Sequence, residues 1–358
     1  MKRLLAAAVL GVCLSTAPAL SQLETVATFD ATTPPGNLGI GPDGRIFMSV
    51  HSFYGQPLRL VEVLEGGKTK PYPTAAWAAA PKGDGPGLND VLGLNVDRRG
   101  ILWILDGQKE EQAGRLIGWN TRTESLERIY YLGPPVTRKT SFLNDLAIDR
   151  TNDTIYISDT GDGENSALIV LDLTTGQARR VLEGSKFTRP EDIEMIIDGR
   201  SIKLGDQPAR IGVNPITIDA TNTWVYFAPM SGRTMYRVKT ADLRDDTLSP
   251  AELEMRVARY GDKPISDGST IDTAGHVYIT SITDNSIGIT KPDGAYETLY
   301  QDKTLPWPDG FAVGADGKIY ATINELHRSP VLNGGENVST GQFKIVRFPP
   351  IAPAIAGR

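Results

Sequence analysis

Asp90, Asn144, Asn214, Asp267 and Asp309 each stand four residues before an apolar position, respectively Leu94, Ile148, Ile218, Ile271 and Val313, at the centre of a similar stretch of chain. Three carboxylates and two carboxamides gathered at one place could do two kinds of chemistry. As oxygen donors they suit a hard divalent cation, Ca²⁺ before Mg²⁺. Without a cation, crowded carboxylates raise one another's pKa, which yields a general acid or base working near neutral pH. Asp267 and Asp309 are the candidate catalytic proton carriers. Asp90, Asn144 and Asn214 are candidate ligand contacts, the two carboxamides being suited to orient a carbonyl. If a metal is held, Asn144, Asn214 and Asp267 are its candidate ligands. Asn214 precedes Pro215, which by itself favours an extended backbone. Asp145 adjoins Asn144 with opposite strand parity and reads as structural. Phe142 and Trp307 lie two residues before Asn144 and Asp309 and are candidate walls of a ligand site. Phe53, Tyr54 and Trp77 are further aromatics of this kind, although packing is their commoner use.

Residues so far apart can meet only if a repeating fold brings them together. Six segments supply the repeat: GNLGIGPDGRIFMSV, DVLGLNVDRRGILWIL, NDLAIDRTNDTIYIS, NPITIDATNTWVYFA, DGSTIDTAGHVYIT and DGFAVGADGKIYAT. Aligned on Ile40, Leu94, Ile148, Ile218, Ile271 and Val313, they recur at intervals of 54, 54, 70, 53 and 42 residues. Each holds two strands of period two joined by an Asp/Gly or Asn/Asp turn, and a further strand pair fits each interval. Four strands per unit describe a propeller blade. The expected fold is therefore an all-β, six-bladed β-propeller with four antiparallel strands per blade. The strand Phe343 to Phe348 is expected to pair with one near Glu24 to Phe29 and close the ring. Helical periodicity is confined to Ala75–Ala80 and Asp242–Arg256. In such a ring the first strand of every blade lines the central channel, so the five polar residues share its mouth. The 70-residue interval carries about twenty extra residues around Glu183 to Gly212, a length suited to a lid or a side-packed hairpin. His51 follows a blade-one strand and reads as a loop histidine. Asp159, Asp162 and Glu164 form only part of a calcium-loop spacing and read as a solvated turn.

Composition narrows the partners. With 37 basic against 43 acidic residues and a net charge of −6, the chain lacks the basic footprint of a nucleic-acid binder. Lys2 and Arg3, the apolar run Leu4 to Leu14 and the small residues around Ala17 to Ser21 form a secretory signal pattern, so residues 1–21 are read as a cleaved leader and 22–358 as one propeller domain. The expected location is periplasmic or secreted, with no membrane attachment after cleavage. The single cysteine, Cys13, falls in that leader, which excludes thiol catalysis, disulfides and Cys-ligated metal. Three histidines and the lack of HExxH, GxSxG and GxxxxGK[ST] patterns remove the familiar hydrolytic and phosphate-binding routes.

The segments SFLNDLAIDRTNDTIYISDTG, ALIVLDLTTGQARRVL, WVYFAPMSGRTMYRVKTADL and LPWPDGFAVGADGKIYATINELHR resemble the major royal jelly protein and yellow family, and LWILDGQ is similar to its second-blade strand. The likeness runs from about Asp90 to Arg328. It implies a secreted six-bladed propeller related in insects to dopachrome conversion and the binding of small amines. A more distant likeness, to the SMP-30 and gluconolactonase propellers, implies a central divalent cation, usually calcium; their polar blade starts are similar to Asn144-Asp145, Asn214-Pro215 and Asp267-Gly268, while Gly36-Asn37 stands where they carry a glutamate. Three readings follow from the residues and these likenesses: a small-molecule site for an aromatic or amine-like compound with tautomerase-like proton transfer, a Ca²⁺-dependent lactonase, and a non-catalytic scaffold.

Overall fold

The computed structural model describes residues 23–83, 85–109 and 112–358; the leader reading and Cys13 lie outside them. Six four-stranded antiparallel sheets form the blades. Their innermost strands are Pro35–Ile40, Val91–Val96, Leu143–Asp149, Val213–Ile218, Ser269–Ile271 and Pro308–Val313, and each touches its two neighbours around a closed circle. Blade six is completed by Glu24–Phe29, which pairs with Phe343–Phe348 from Glu24 opposite Arg347 to Phe29 opposite Phe343. That junction joins the two chain regions expected to meet and leaves no open edge between first and last blade.

Local chemistry explains the repeated hairpin. In four blades the turn after the innermost strand starts with an aspartate whose carboxylate accepts backbone N–H groups, from Arg99 to Asp97 at 2.8 Å, Asn152 to Asp149 at 3.0 Å, Thr223 to Asp219 at 2.7 Å and Ala274 to Asp272 at 2.9 Å. Second strands such as Ile101–Asp106 and Thr154–Asp159 are buried throughout, because both of their faces pack against neighbouring blades. One such layer packs Ile101, Trp103 and Leu105 of blade two against Leu146, Ile157 and Ile169 of blade three.

Two short helices, Thr240–Arg244 and Pro250–Arg256, lie between the third and fourth strands of blade four. The second begins with a Ser249/Glu252 capping box and Pro250 in its first turn. Ala75–Ala80 is a turn rather than a helix, a run of alanines too short to nucleate one. The extra residues before blade four form two small hairpins, Ile196–Ile197 with Arg200–Ser201 and Lys203–Leu204 with Gln207–Pro208. Met195, Ile197, Ile202 and Ala209 of this insertion are buried in one apolar cluster with Trp307, Leu326 and Leu332 of blade six. The insertion therefore reaches across the ring.

At the opposite face, the segment after the last blade crosses the channel. Ile351 N–H donates to the Tyr278 hydroxyl at 2.6 Å, Thr273 N–H to the Pro353 carbonyl at 2.9 Å, and the Arg358 guanidinium to the Asp219 carbonyl at 2.6 Å.

Candidate functional site

Five of the six innermost strands carry a β-bulge just before their central apolar residues, at the steps Pro35/Leu38, Val91/Leu94, Leu143/Leu146, Val213/Ile216 and Pro308/Phe311. A bulge places two residues opposite one and re-aims their side chains. In three of these blades and in blade five, the backbone N–H turned aside at this point is taken by a hydroxyl on the second strand. Asn37 donates to Ser49 at 2.9 Å, Asp145 to Ser158 at 3.1 Å, Gly268 to Thr280 at 2.8 Å and Gly310 to Thr322 at 3.1 Å. In blade four the same two positions are Pro215, which has no N–H, and Ala228, which has no hydroxyl. The strands converge closely here. A Cβ on Gly268 would lie 2.1 Å from the Asp309 carbonyl oxygen, and one on Gly310 2.1 Å from Asn37 Oδ1.

The pairing fixes a register that the sequence pattern misses in one blade. Val96, not Leu94, occupies the place of Ile40, Ile148, Ile218, Ile271 and Val313, because Val91 opposes Asp106 as Leu143 opposes Asp159 and Val213 opposes Pro229. The blade-two member of the ring is therefore Leu92, and Asp90 lies two residues upstream. All six true ring positions, Gly36, Leu92, Asn144, Asn214, Asp267 and Asp309, line one cavity of about 330 Å³ at the channel mouth. Asp90 is not among the lining residues. Its N–H donates to Asp106 at 2.9 Å, its Oδ1 is sealed without a partner, and burial raises its pKa against the pull of Ser52, Arg59 and Lys109.

Two residues join the ring unforeseen. Asn37 and Asp145 sit one place after the ring positions, and the bulges bring both to the cavity. The strand parity that made Asp145 look structural does not survive a bulge. The polar floor thus holds three carboxyls, Asp145, Asp267 and Asp309, and three carboxamides, Asn37, Asn144 and Asn214. Asp267 accepts from Asn214 Nδ2 and from the Trp307 indole, both at 2.7 Å. Asp309 accepts from Asn324 Nδ2 at 2.6 Å, and its other oxygen bonds no described residue. Asp145 accepts from Leu146 N–H at 2.8 Å and Asn37 Nδ2 at 3.1 Å. The Asn144 side chain has no hydrogen-bond partner among the described residues, although its residue lines the cavity.

Burial dominates the electrostatics. It pushes Asp267 up to about 6, against the two N–H groups that stabilise its charge. Asp145 is pushed up to about 7 by burial and by the Asp267 charge, with the Leu146 and Asn37 donors opposing. Asp309 is raised well above the usual carboxylate range by burial and by the charges of Asp267 and Asp145. The three share their protons as a group.

The wall is apolar and aromatic. Phe53 faces Phe142 with ring centres 6.3 Å apart, and both line the cavity with Leu204 and Ile211 of the insertion and Leu326 and Leu332 of blade six. Trp307 is fully buried, lies flat against His327 with ring centres 6.0 Å apart, and has a positive φ of 49°. So bulky a residue in the left-handed region is strained by about 1–3 kcal/mol and is held there by its surroundings. Of the other candidates, Tyr54 donates to the Asn324 carbonyl and Trp77 packs edge-on to Trp119; both lie outside the cavity. His51 is a lining residue, only 4% exposed, rather than a loop histidine. Asp159 and Glu164 serve the fold through Arg180 and Arg189, and Asp162 caps Asn165 at the cavity rim.

The donor set can be tested against a resident cation. Both Asp267 oxygens already accept N–H groups, the Asn37 amide donates to Asp145, and among the described residues no three acidic or histidine side chains converge as a cation cage. Gly36 and Asn37 offer no carboxylate in blade one. The residues present do not fit a bound divalent ion.

These features define a six-bladed propeller with a small cavity at one mouth, walled by aromatics and floored by protonatable carboxyls. The chain belongs to the major royal jelly protein family, whose model matches residues 90–348. No curated protein matches it at significance. Among solved structures it is similar to a luciferin-regenerating enzyme at 10% identity and TM-score 0.60, covering 94% of this chain and 98% of that one. A gluconolactonase from Xanthomonas campestris aligns at 12% identity and TM-score 0.58 over 91% and 89% of the two chains. The calcium-binding regucalcin of Agrobacterium tumefaciens aligns at 14% identity and TM-score 0.56 over 93% and 98%. At such identities the likeness establishes the fold alone.

Proposed function

We propose that this protein binds a small aromatic or amine-like compound at the channel mouth and moves a proton within it, as a tautomerase does. The observation that carries the reading is the floor of Asp145, Asp267 and Asp309 beneath aromatic walls, in a cavity of about 330 Å³ that suits a compact ligand. Asp267, raised only to about 6, is the floor carboxyl that ionises as pH reaches neutrality, while burial and the Asp267 and Asp145 charges hold Asp309 well above the usual carboxylate range. An ionised carboxylate takes a proton from one position of the ligand, and a protonated carboxyl returns one at another. Nothing is oxidised or reduced, and the floor ends with the proton count it began with. Asn144 and Asn214 supply amide groups to orient a carbonyl or amine. The insertion lends Leu204 and Ile211 to the wall and so reduces the water that reaches a bound ligand. Export to the periplasm or beyond belongs to the same proposal.

The test is a thermal-shift and spectrophotometric screen of the purified protein with catechol quinones, aromatic amines and lactones, each with EDTA and with added Ca²⁺. Stabilisation and isomerisation of a quinone or amine, indifferent to EDTA and lost in Asp309→Asn, is the expected result. Calcium-dependent lactone turnover would replace this reading with a hydrolase, and no response to any probe would leave a scaffold.

A further inference from the structure

His51 is the one histidine ring that lines the cavity, and the floor chemistry leaves it unused. Its Nδ1 accepts the N–H of Phe53 at 3.3 Å, at the start of a short helical turn over Ser52–Tyr54. A nitrogen that accepts carries no proton, so in the neutral ring the proton is on Nε2. Nε2 has no hydrogen-bond partner among the described residues, and the residue lines the cavity while only 4% exposed. The ring is also held from the side. It stands edge-on to Phe53, with centres 4.7 Å apart and planes at 67°, and Phe53 in turn faces Phe142. Burial holds its basicity down to about 3, so it stays uncharged at any working pH.

We infer that His51 is a fixed, neutral hydrogen-bond donor whose Nε2–H meets a ligand carbonyl oxygen, which narrows the ligand class to aromatic or conjugated carbonyl compounds. This rests on the cavity reading above and deepens it. A neutral donor suits that role better than an imidazolium, because it stabilises negative charge as it develops on the oxygen without giving up its own proton. When a floor carboxylate removes a proton from the carbon next to the carbonyl, the electron pair moves to that oxygen, and His51 is the donor placed against it. Asp145, Asp267 and Asp309 supply the proton transfers, and the aromatic pair Phe53 and Phe142 flanks the ligand ring.

The experiment uses two probes of nearly equal size, 4-hydroxyacetophenone and 4-ethylphenol, which differ in the carbonyl. Affinities are measured by calorimetry for the wild type, His51→Gln and His51→Leu, and ¹⁵N-histidine NMR at pH 7 reports the tautomer. The expected result is an Nε2–H signal that is absent from His51→Gln and moves when the ketone binds. The wild type should favour the ketone by about 3- to 10-fold, the worth of one neutral hydrogen bond. That preference should vanish in His51→Leu, persist in part in His51→Gln, and leave 4-ethylphenol affinity unchanged, which also shows that the variants fold. An Nδ1–H tautomer, equal binding of the two probes, or a preference that survives in His51→Leu would overturn the assignment. Failure of both probes to bind the wild type would overturn the cavity reading itself, and the assignment with it.

Discussion

Asp145→Asn offers a direct measure of how much the floor costs the fold. The amide keeps an oxygen for Leu146 N–H and for Asn37, so packing and hydrogen bonds are preserved while the charge is removed. In the native protein the carboxyl is raised from 3.8 to about 7, chiefly by burial. The folded state thus holds this proton more tightly than the unfolded chain does. The stability it contributes is full below about pH 4 and is lost as pH rises to about 7. At about 1.4 kcal/mol for each pKa unit, the whole span is about 4 kcal/mol, of which about 3 kcal/mol falls between pH 5 and pH 8. Asp145→Asn should therefore match the wild type near pH 4 and exceed it by about 4 kcal/mol at pH 8. Removing the charge also relieves Asp309, which Asp145 helps to raise, so the variant's pH profile flattens further in the same direction. Urea unfolding at half-unit steps from pH 4.5 to 8.5 reads the effect as a change in slope. Parallel curves for the two proteins would refute the idea that Asp145 is buried and proton-holding.

Trp307→Phe removes the indole donor from Asp267; its carboxyl, already near 6, should rise by about one pH unit, read by ¹³C-aspartate NMR, with a stability loss of about 1–3 kcal/mol at pH 8. Gly268→Ala should destabilise by about 1–3 kcal/mol in thermal melts, since its Cβ would press on the Asp309 carbonyl oxygen from 2.1 Å. Millimolar Ca²⁺ or EDTA should leave the melting temperature unchanged, because the Asp267 oxygens are already taken. In the insertion, Ile197→Ala should loosen the segment by about 2–4 kcal/mol and hasten proteolysis near Arg200, whereas Asp198→Ala, which breaks the exposed pair with Arg328 at 3.1 Å, should change it by less than about 1 kcal/mol.

How much of this was legible in the sequence depends on which physical regularity each feature obeys. The six blades were readable because alternation and Asp/Gly turns are local properties, and the closing strand because Glu24 to Phe29 had no other partner. Ring membership was readable where the apolar anchor chosen is the residue directly before the turn, as Ile148, Ile218, Ile271 and Val313 are, and there Asn144, Asn214, Asp267 and Asp309 line one cavity with Phe142 and Trp307 beside them. It failed in blade two because DVLGLNV offers apolar residues at both Leu94 and Val96, and an acid four places before the wrong one completed a false match. A better guide would have been the turn aspartate: Asp97, Asp149, Asp219 and Asp272 each follow the true anchor directly, which selects Val96. Asn37 and Asp145 were hidden for a different reason. A bulge breaks the period of two on which parity arguments rest, and its signature lies on the other strand, in the Ser49, Ser158 and Thr322 hydroxyls that take the displaced N–H. Blade four supports this account in reverse. With Pro215 at the bulge there is no N–H to satisfy, and Ala228 stands where the hydroxyl would be. Paired substitutions follow the same logic: Ser158→Ala should strand the Asp145 N–H and displace its carboxyl, while a hydroxyl at Ala228 would have nothing to bind.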